Sequence, residues 1–547
     1  MLSRLRRLIT ADLLVLSALS AVSQLLYLAV LPISLEGDGV GYYLFARFLA
    51  NDPGGLFIFQ RPPGYPFFLL ATGVSWLKSF YLTIAVQALM GALAPLLVYG
   101  TLRAMGRRAA FAAALVFALS GVPYSYAKLL VTEQLFVFCL LTATFAVARF
   151  IDARRPQAAA LAIGAALAAL MVRNEALYFA VFVFAFVLFL SWPARRRLLK
   201  VALSGAAALA VVMAWSAERA SIMGNPALVG SLNNFLGHQL FWRVYIALPA
   251  PVRFWQCVVV LPRDPSCEDG STPIALLVQP ENGAATRRLA DLVTDWAKDH
   301  RQDPKAFLAD FLANPSIEPP RDWFGLAGRV AVDRLGITGG DDLLREVALE
   351  AVKAHPEILY MMAASVSPYL GISFENFWYA LRYPSNAGPI LFANWGEDAM
   401  EAMPFNIRDL ARQALRDELW REYRTSNEVP LTSLDKALLH LSRTARSLVR
   451  NTFGLVFLVT LPALLWARPR TLVLFLSGSF ALMLGAYAVG FGYSMRFEHV
   501  ILPLMLILSA SAIETLVRGI AGRLRRRRQS ASCAGRLSYV PTNRGSR

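Results

Sequence analysis

Apolar runs of roughly twenty residues, separated by short polar connections, fill both ends of the chain. A helix of that length rises about 30 Å, enough to cross the hydrocarbon of a bilayer. Such runs occur at 8–33, 81–102, 109–126, 132–150, 157–172, 175–192, 198–216, 451–467, 472–491 and 497–517. The pattern predicts an all-α polytopic membrane protein with a bundle of about ten transmembrane helices. The first run is longer than the roughly 7–15-residue core of a secretion signal, so it reads as a retained span. Two apolar segments fit differently. Residues 65–76 carry Pro66 and Gly73, and residues 355–378 carry Pro356, Pro368, Gly371 and Glu375. Neither has a returning partner, so both are expected to lie along the interface or re-enter it under cover of protein.

Between 218 and 450 the periodicity changes. Leu289, Leu292, Val293 and Trp296 recur at helical spacing within 286–298, with polar residues between them. Residues 304–312, 341–354 and 407–423 repeat this amphipathic pattern, and Asp341 and Asp342 give the third of these segments an acidic first turn. No alternating run long enough for a sheet is present, and no internal repeat.

Charge then fixes an orientation. The 547 residues carry a formal net charge of +17. Much of the excess sits at span ends, in clusters around Arg4, Arg103, Arg154, Arg195, Arg468 and Arg523. That is the positive-inside signature. It puts both termini on the cytoplasmic side and divides the chain into an N-terminal membrane module (1–217), a mainly helical extracytoplasmic insertion (218–450), C-terminal membrane helices (451–522) and a basic, disordered cytoplasmic tail (523–547). Nucleic-acid binding is excluded, because no basic patch is interleaved with aromatics on a soluble module. The cysteine spacing suits no metal. Cys257 and Cys267 flank a proline-containing turn in the external region, where an oxidising compartment permits a disulfide; two free thiols are the alternative.

Candidate chemistry gathers in the first external loop, 34–80. Asp38 follows the first span, and Tyr42 and Ala46 follow Asp38 at helical spacing. Arg61 then precedes a stiff Pro62-Pro63-Gly64-Tyr65-Pro66 turn. An acid beside a bilayer, followed by a fixed cation, is what chemistry on a lipid phosphate requires. Glu36 offers a second carboxylate, so either acid could serve as a base.

These motifs resemble the first external loop of the GT-C membrane glycosyltransferases, in the bacterial branch related to protein O-mannosyltransferases and lipid A aminoarabinose transferases. The shared pattern is Asp-x-x-x-Tyr-x-x-x-Ala from Asp38, then Arg61-Pro-Pro-Gly-Tyr-Pro66. Leu130 to Phe136 resembles the family's acid at the outer start of a span, with Glu133 as that acid. Met171-Val-Arg-Asn-Glu175 resembles its Arg-Pro-Glu, with Asn174 in place of Pro. Met495 to Pro503 resembles its Arg-Tyr motif, with Phe497 for Tyr, and His355-Pro-Glu357 resembles its Pro-started surface helix. Apart from that motif, the 218–450 insertion matches nothing of the family.

The resemblance implies a GT-C-like bundle that transfers sugar from a polyprenyl-phosphate donor to an extracytoplasmic glycolipid, glycan or protein, in the cell (inner) membrane. It implies Asp38 as the general base on the acceptor hydroxyl. Arg61, Arg173, Arg496, Lys128 and His355 would stabilise the leaving phosphate, since guanidinium forks pair with phosphate oxygens. Tyr42, Tyr65, Glu133 and Glu36 would line the substrate or support those groups. Membrane lipids are partners by necessity. No dense carboxylate cluster demands a metal, so a divalent cofactor is permitted but not indicated. The rival reading is a multi-span transporter of a lipid or small anionic substrate, but the ionisable residues lie at span ends rather than mid-membrane.

Overall fold

The computed structural model describes residues 11–30, 39, 42–43, 45–46, 49–50, 62–74, 76–77, 80–223, 237, 240–241, 243–244, 274–313, 325–364, 433, 437, 441, 456–490 and 498–537. Within them the chain is helical, with no strand. The membrane bundle comprises α1 (Ala11–Val30), the short α2 (Gly64–Ala71), α3 (Tyr81–Leu102), α4 (Arg107–Leu119), α5 (Glu133–Ala153), α6 (Pro156–Val172), α7 (Ala176–Ser191) and α8 (Arg195–Met223). A separate helical unit follows, with α9 (Ala284–Asp299), α10 (Pro304–Ala313), α11 (Gly325–Ala354) and α12 (Glu357–Ala364). The bundle resumes with α13 (Val456–Trp466), α14 (Arg470–Gly490) and α15 (Glu498–Leu537).

Among the described residues six helices are long and apolar enough to cross a membrane: α1, α3, α5, α8, α14 and α15. Each of the ten predicted spans coincides with a helix, but α4, α6, α7 and α13 are short. The 109–126 run illustrates the cause. Ser120 takes the Val122 N–H at 3.2 Å through its hydroxyl, and Gly121 adopts φ 73°, a left-handed turn that glycine tolerates. Pro123 follows, and α4 ends at Leu119. Residues 121–131 continue as largely buried non-helical chain. Irregular backbone of this kind survives within a bundle because protein covers it.

Small residues let the bundle close. Ala159, Ala162, Ala166 and Ala169 form a buried stripe on α6, which packs against α5. Pro156 opens α6 at a position where its missing N–H costs nothing. Leucines and aromatics such as Leu14, Leu25, Leu89 and Phe189 remain exposed on the outside, as suits helices clad in lipid.

The turns at one end carry the basic clusters. Asp12 at the start of α1 accepts Arg107 Nε at 2.6 Å and the Tyr99 hydroxyl at 3.0 Å. Arg518 of α15 donates to the Met105 carbonyl in the α3–α4 turn, and Arg154 donates to Leu190 O at 3.2 Å. Helix alternation therefore leaves the starts of α3, α5 and α7 and the end of α6 together at the opposite end.

The 274–364 unit has its own core, built on Leu289 and Val293 of α9 with Val330, Leu344, Val347 and Ala351 of α11. The predicted helices at 286–298 and 304–312 are present, and 341–354 forms the second half of α11. Gly336, at φ 72°, breaks α11 where an L side chain would be strained. Glu350 accepts the backbone N–H groups of Ala285 and Thr286 at 3.0 and 2.9 Å and the Thr286 hydroxyl at 2.8 Å. It thereby satisfies the exposed donors at the start of α9. Of the segment predicted as interfacial, 365–378 lies outside the described residues; α12 packs against α14. Residues 407–423 also lie outside them.

Candidate functional site

Arg173 ends α6. Its backbone swings to φ −147°, ψ 132°, and two residues later Glu175 occupies the N-cap position of α7. This corner turns the Arg173 guanidinium back on Glu175, with Nε and Nη2 at 3.3 and 2.7 Å from the same carboxylate oxygen. Nη1 crosses to the first turn of α5, 2.8 Å from Glu133 Oε1 and 3.1 Å from the Thr132 hydroxyl. The Phe136 ring lies under the guanidinium, 5.7 Å from its centroid. All three ionic side chains are buried, at 11%, 1% and 5% exposure for Arg173, Glu133 and Glu175. Removing such charges from water is expensive unless they are paired and hydrogen-bonded, and here they are. The Tyr487 phenol of α14 also interacts electrostatically with Arg173.

A second polar anchor lies beside this cluster. Gln87 lies in the apolar run of α3 and is fully buried. Its Nε2 donates to Ala127 O and Leu129 O at 3.0 and 2.9 Å and reaches Tyr126 O at 3.4 Å. Its Oε1 accepts the Tyr65 hydroxyl at 2.9 Å. One amide thus ties the 121–131 segment to α2. Sequence reasoning missed Gln87, although an amide inside an apolar span is costly unless it binds something. That was the available signal.

Two glycines allow the backbone to converge. A Cβ on Gly39 would lie 2.6 Å from the Leu130 carbonyl oxygen, and one on Gly64 would lie 2.5 Å from the Met171 carbonyl oxygen. Both neighbours are backbone, so neither can step aside. Gly39 therefore rests on Leu130, three residues before Glu133 in the chain, and Gly64 on Met171, two before Arg173. Tyr42 and Tyr65 meet edge to face, with centroids 5.2 Å apart at 75°. Burial first, then the charge of Glu133, holds the Tyr65 phenol well above its ordinary range, so it stays a hydrogen-bond donor.

The structure thus brings together Tyr42, Tyr65, Glu133 and Arg173. Lys128 lies on the segment that Gln87 pins, and partial burial lowers its ammonium below the usual lysine range. His355 lies between α11 and α12, with Nδ1 3.4 Å from Glu357 Oε1. Glu36, Asp38, Arg61, Arg496, Cys257 and Cys267 lie outside the described residues. Among the described residues no group of three or more His, Cys, Asp and Glu side chains is placed to hold a metal ion.

Residues 60–217 match the family model of dolichyl-phosphate-mannose-protein mannosyltransferases, in the GT-C superfamily. The matched stretch contains Gly64, Tyr65, Gln87, Glu133 and Arg173, and excludes the 274–364 unit and α13 to α15. A comparison with curated proteins gave no match. With the apolar bundle, the family match supports a membrane glycosyltransferase of the GT-C type.

Proposed function

We propose that this GT-C-type membrane glycosyltransferase moves a sugar from a polyprenyl-phosphate donor to a hydroxyl acceptor on the extracytoplasmic face, with Asp38 as general base. The supporting observation is the meeting of Gly39 with Leu130 and of Gly64 with Met171 beside the Glu133–Arg173–Glu175 cluster. Asp38 precedes Gly39 directly, and Arg61 precedes Gly64 by three residues. Chain connectivity of about 3.8 Å per residue keeps both within reach of that region. The basic turns lie at the other end of the bundle, which supports an extracytoplasmic site.

In this reading the acceptor hydroxyl gives its proton to the Asp38 carboxylate as its oxygen bonds to the anomeric carbon. The bond from that carbon to the donor phosphate breaks, and the polyprenyl phosphate leaves with the electron pair. Arg61, Arg496 and Lys128 receive its charge. Arg173, engaged by two carboxylates, holds the α5 and α6–α7 corners in place.

Asp38→Asn tests the assignment. It keeps the size of the side chain but cannot take the proton, so transfer from a polyprenyl-phosphate sugar in detergent should fall by about 10²–10⁴. Glu36→Gln should be mild. Near-normal turnover in folded Asp38→Asn protein would sink the mechanism, and loss in Glu36→Gln alone would move the base by two positions.

A further inference from the structure

We propose that the end of α15 is a docking surface for the headgroups of anionic phospholipids. The helix runs 40 residues, about 60 Å, which is twice the hydrocarbon thickness. It is buried from Val500 to Ala512 and emerges from the bundle at Ile513. From there Ile513, Leu516, Val517, Ile520 and Leu524 are exposed, and their spacing sets them on one face. In the sequence, Arg527 and Arg528 follow Leu524 by three and four residues, one helical turn. Arg523 and Arg525, both exposed, flank the stripe.

The hand-over from apolar residues to arginines on one helical face matches the hand-over from hydrocarbon to headgroup. The level agrees. Glu514 pairs with Arg518, which also bonds Met105 O in the turn that carries Arg103, Arg107 and Arg108. This polar rim marks the end of the bundle, and residues 523–528 lie about 7–15 Å further along the axis. An arginine stem spans much of that distance back to the interface. Downstream of Glu514 the sequence contains no Asp or Glu, so no acid within this stretch offsets its positive charge.

Orientation in the membrane needs only a count of basic residues. A lipid-binding face additionally needs this register, and guanidinium forks suit phosphate oxygens. No aromatics alternate with the arginines, which disfavours a nucleic acid.

The experiment uses the full chain, purified in detergent and offered equal amounts of phosphatidylglycerol and phosphatidylcholine. Bound lipid is then counted by native mass spectrometry. Wild-type protein should retain phosphatidylglycerol with at least about a tenfold preference that falls as salt rises. The fivefold variant R523Q/R525Q/R526Q/R527Q/R528Q should lose most of that preference, and the fivefold lysine counterpart should keep it. Equal retention of both lipids by wild type, or an unchanged preference in the glutamine variant, would overturn the proposal. So would co-purifying nucleic acid that displaces the lipid. Equal retention by wild type overturns the proposal even if the glutamine variant does not fold.

Discussion

Glu133 in the membrane bundle and Glu350 in the 274–364 unit each place a carboxylate at a helix start, but they answer to different partners. Glu350 takes two backbone N–H groups and a hydroxyl, all neutral, and water still reaches it. Glu133 is almost fully buried, shares Arg173 with Glu175, and lies where three stretches of backbone converge. Glu350 does the work of a cap, which many residues could perform. The Glu133 arrangement concentrates charge where an apolar contact would have been less costly. Such an expenditure, at the end of the bundle opposite the basic turns, marks a candidate site rather than a scaffold contact.

The sharpest way to break this contrast is to remove the shared cation. Arg173→Met leaves two carboxylates buried without it, a change that commonly costs 3–5 kcal/mol. Thermal unfolding in detergent should show a large loss, and transfer activity should vanish with it. Arg173→Met combined with Glu133→Gln and Glu175→Gln should recover much of the stability without recovering activity. Recovery of both would reduce the cluster to packing.

Gln87 probes the boundary between the two roles. Gln87→Leu is close in size but strands the Leu129 and Ala127 carbonyls and the Tyr65 hydroxyl. Each buried unsatisfied group costs about 1–3 kcal/mol, so a loss of roughly 2–4 kcal/mol follows if some rebind water. Because Gly39 rests on Leu130, one residue past the pinned segment, kcat should fall more than KM rises. A change in stability alone, with kcat intact, would make Gln87 a purely structural tie.

Much of the fold was legible because lipid-facing helices must be apolar over a fixed length, and the ten runs all became helices. Their lengths were less legible. Where α4 stops depends on Ser120 and Gly121, a local turn inside an otherwise apolar run. The acid and arginine of the site, Glu133 and Arg173, were visible as motifs. Their pairing was not, since 40 residues separate them and only the antiparallel packing of α5 and α6 brings them together. Gln87 escaped notice because its partners are carbonyls, which leave no trace in sequence. The pattern suggested His355 for the site; the structure gives it Glu357 as a partner, on the 274–364 unit.

The smallest effect tests the other half of the contrast. Burial alone would raise the Glu350 carboxyl, but the Ala285 and Thr286 donors outweigh it and hold the group below the usual carboxylate range. A depressed carboxylate stabilises the fold fully above its unfolded pKa, about 4.3, and the contribution disappears as pH falls through the lower folded value. Glu350→Gln should therefore cost about 1 kcal/mol near neutrality, the usual worth of a helix cap, and almost nothing in strong acid. Gly283, whose Cβ would lie 2.2 Å from the Glu350 carboxyl carbon, makes Gly283→Ala a second route to the same loss. Amide exchange in the first turn of α9 should speed up in both variants at pH 7, with transfer activity essentially unchanged. A fall in activity as large as that of Arg173→Met would mean that the 274–364 unit is coupled to the chemistry, and the two carboxylates would no longer stand apart.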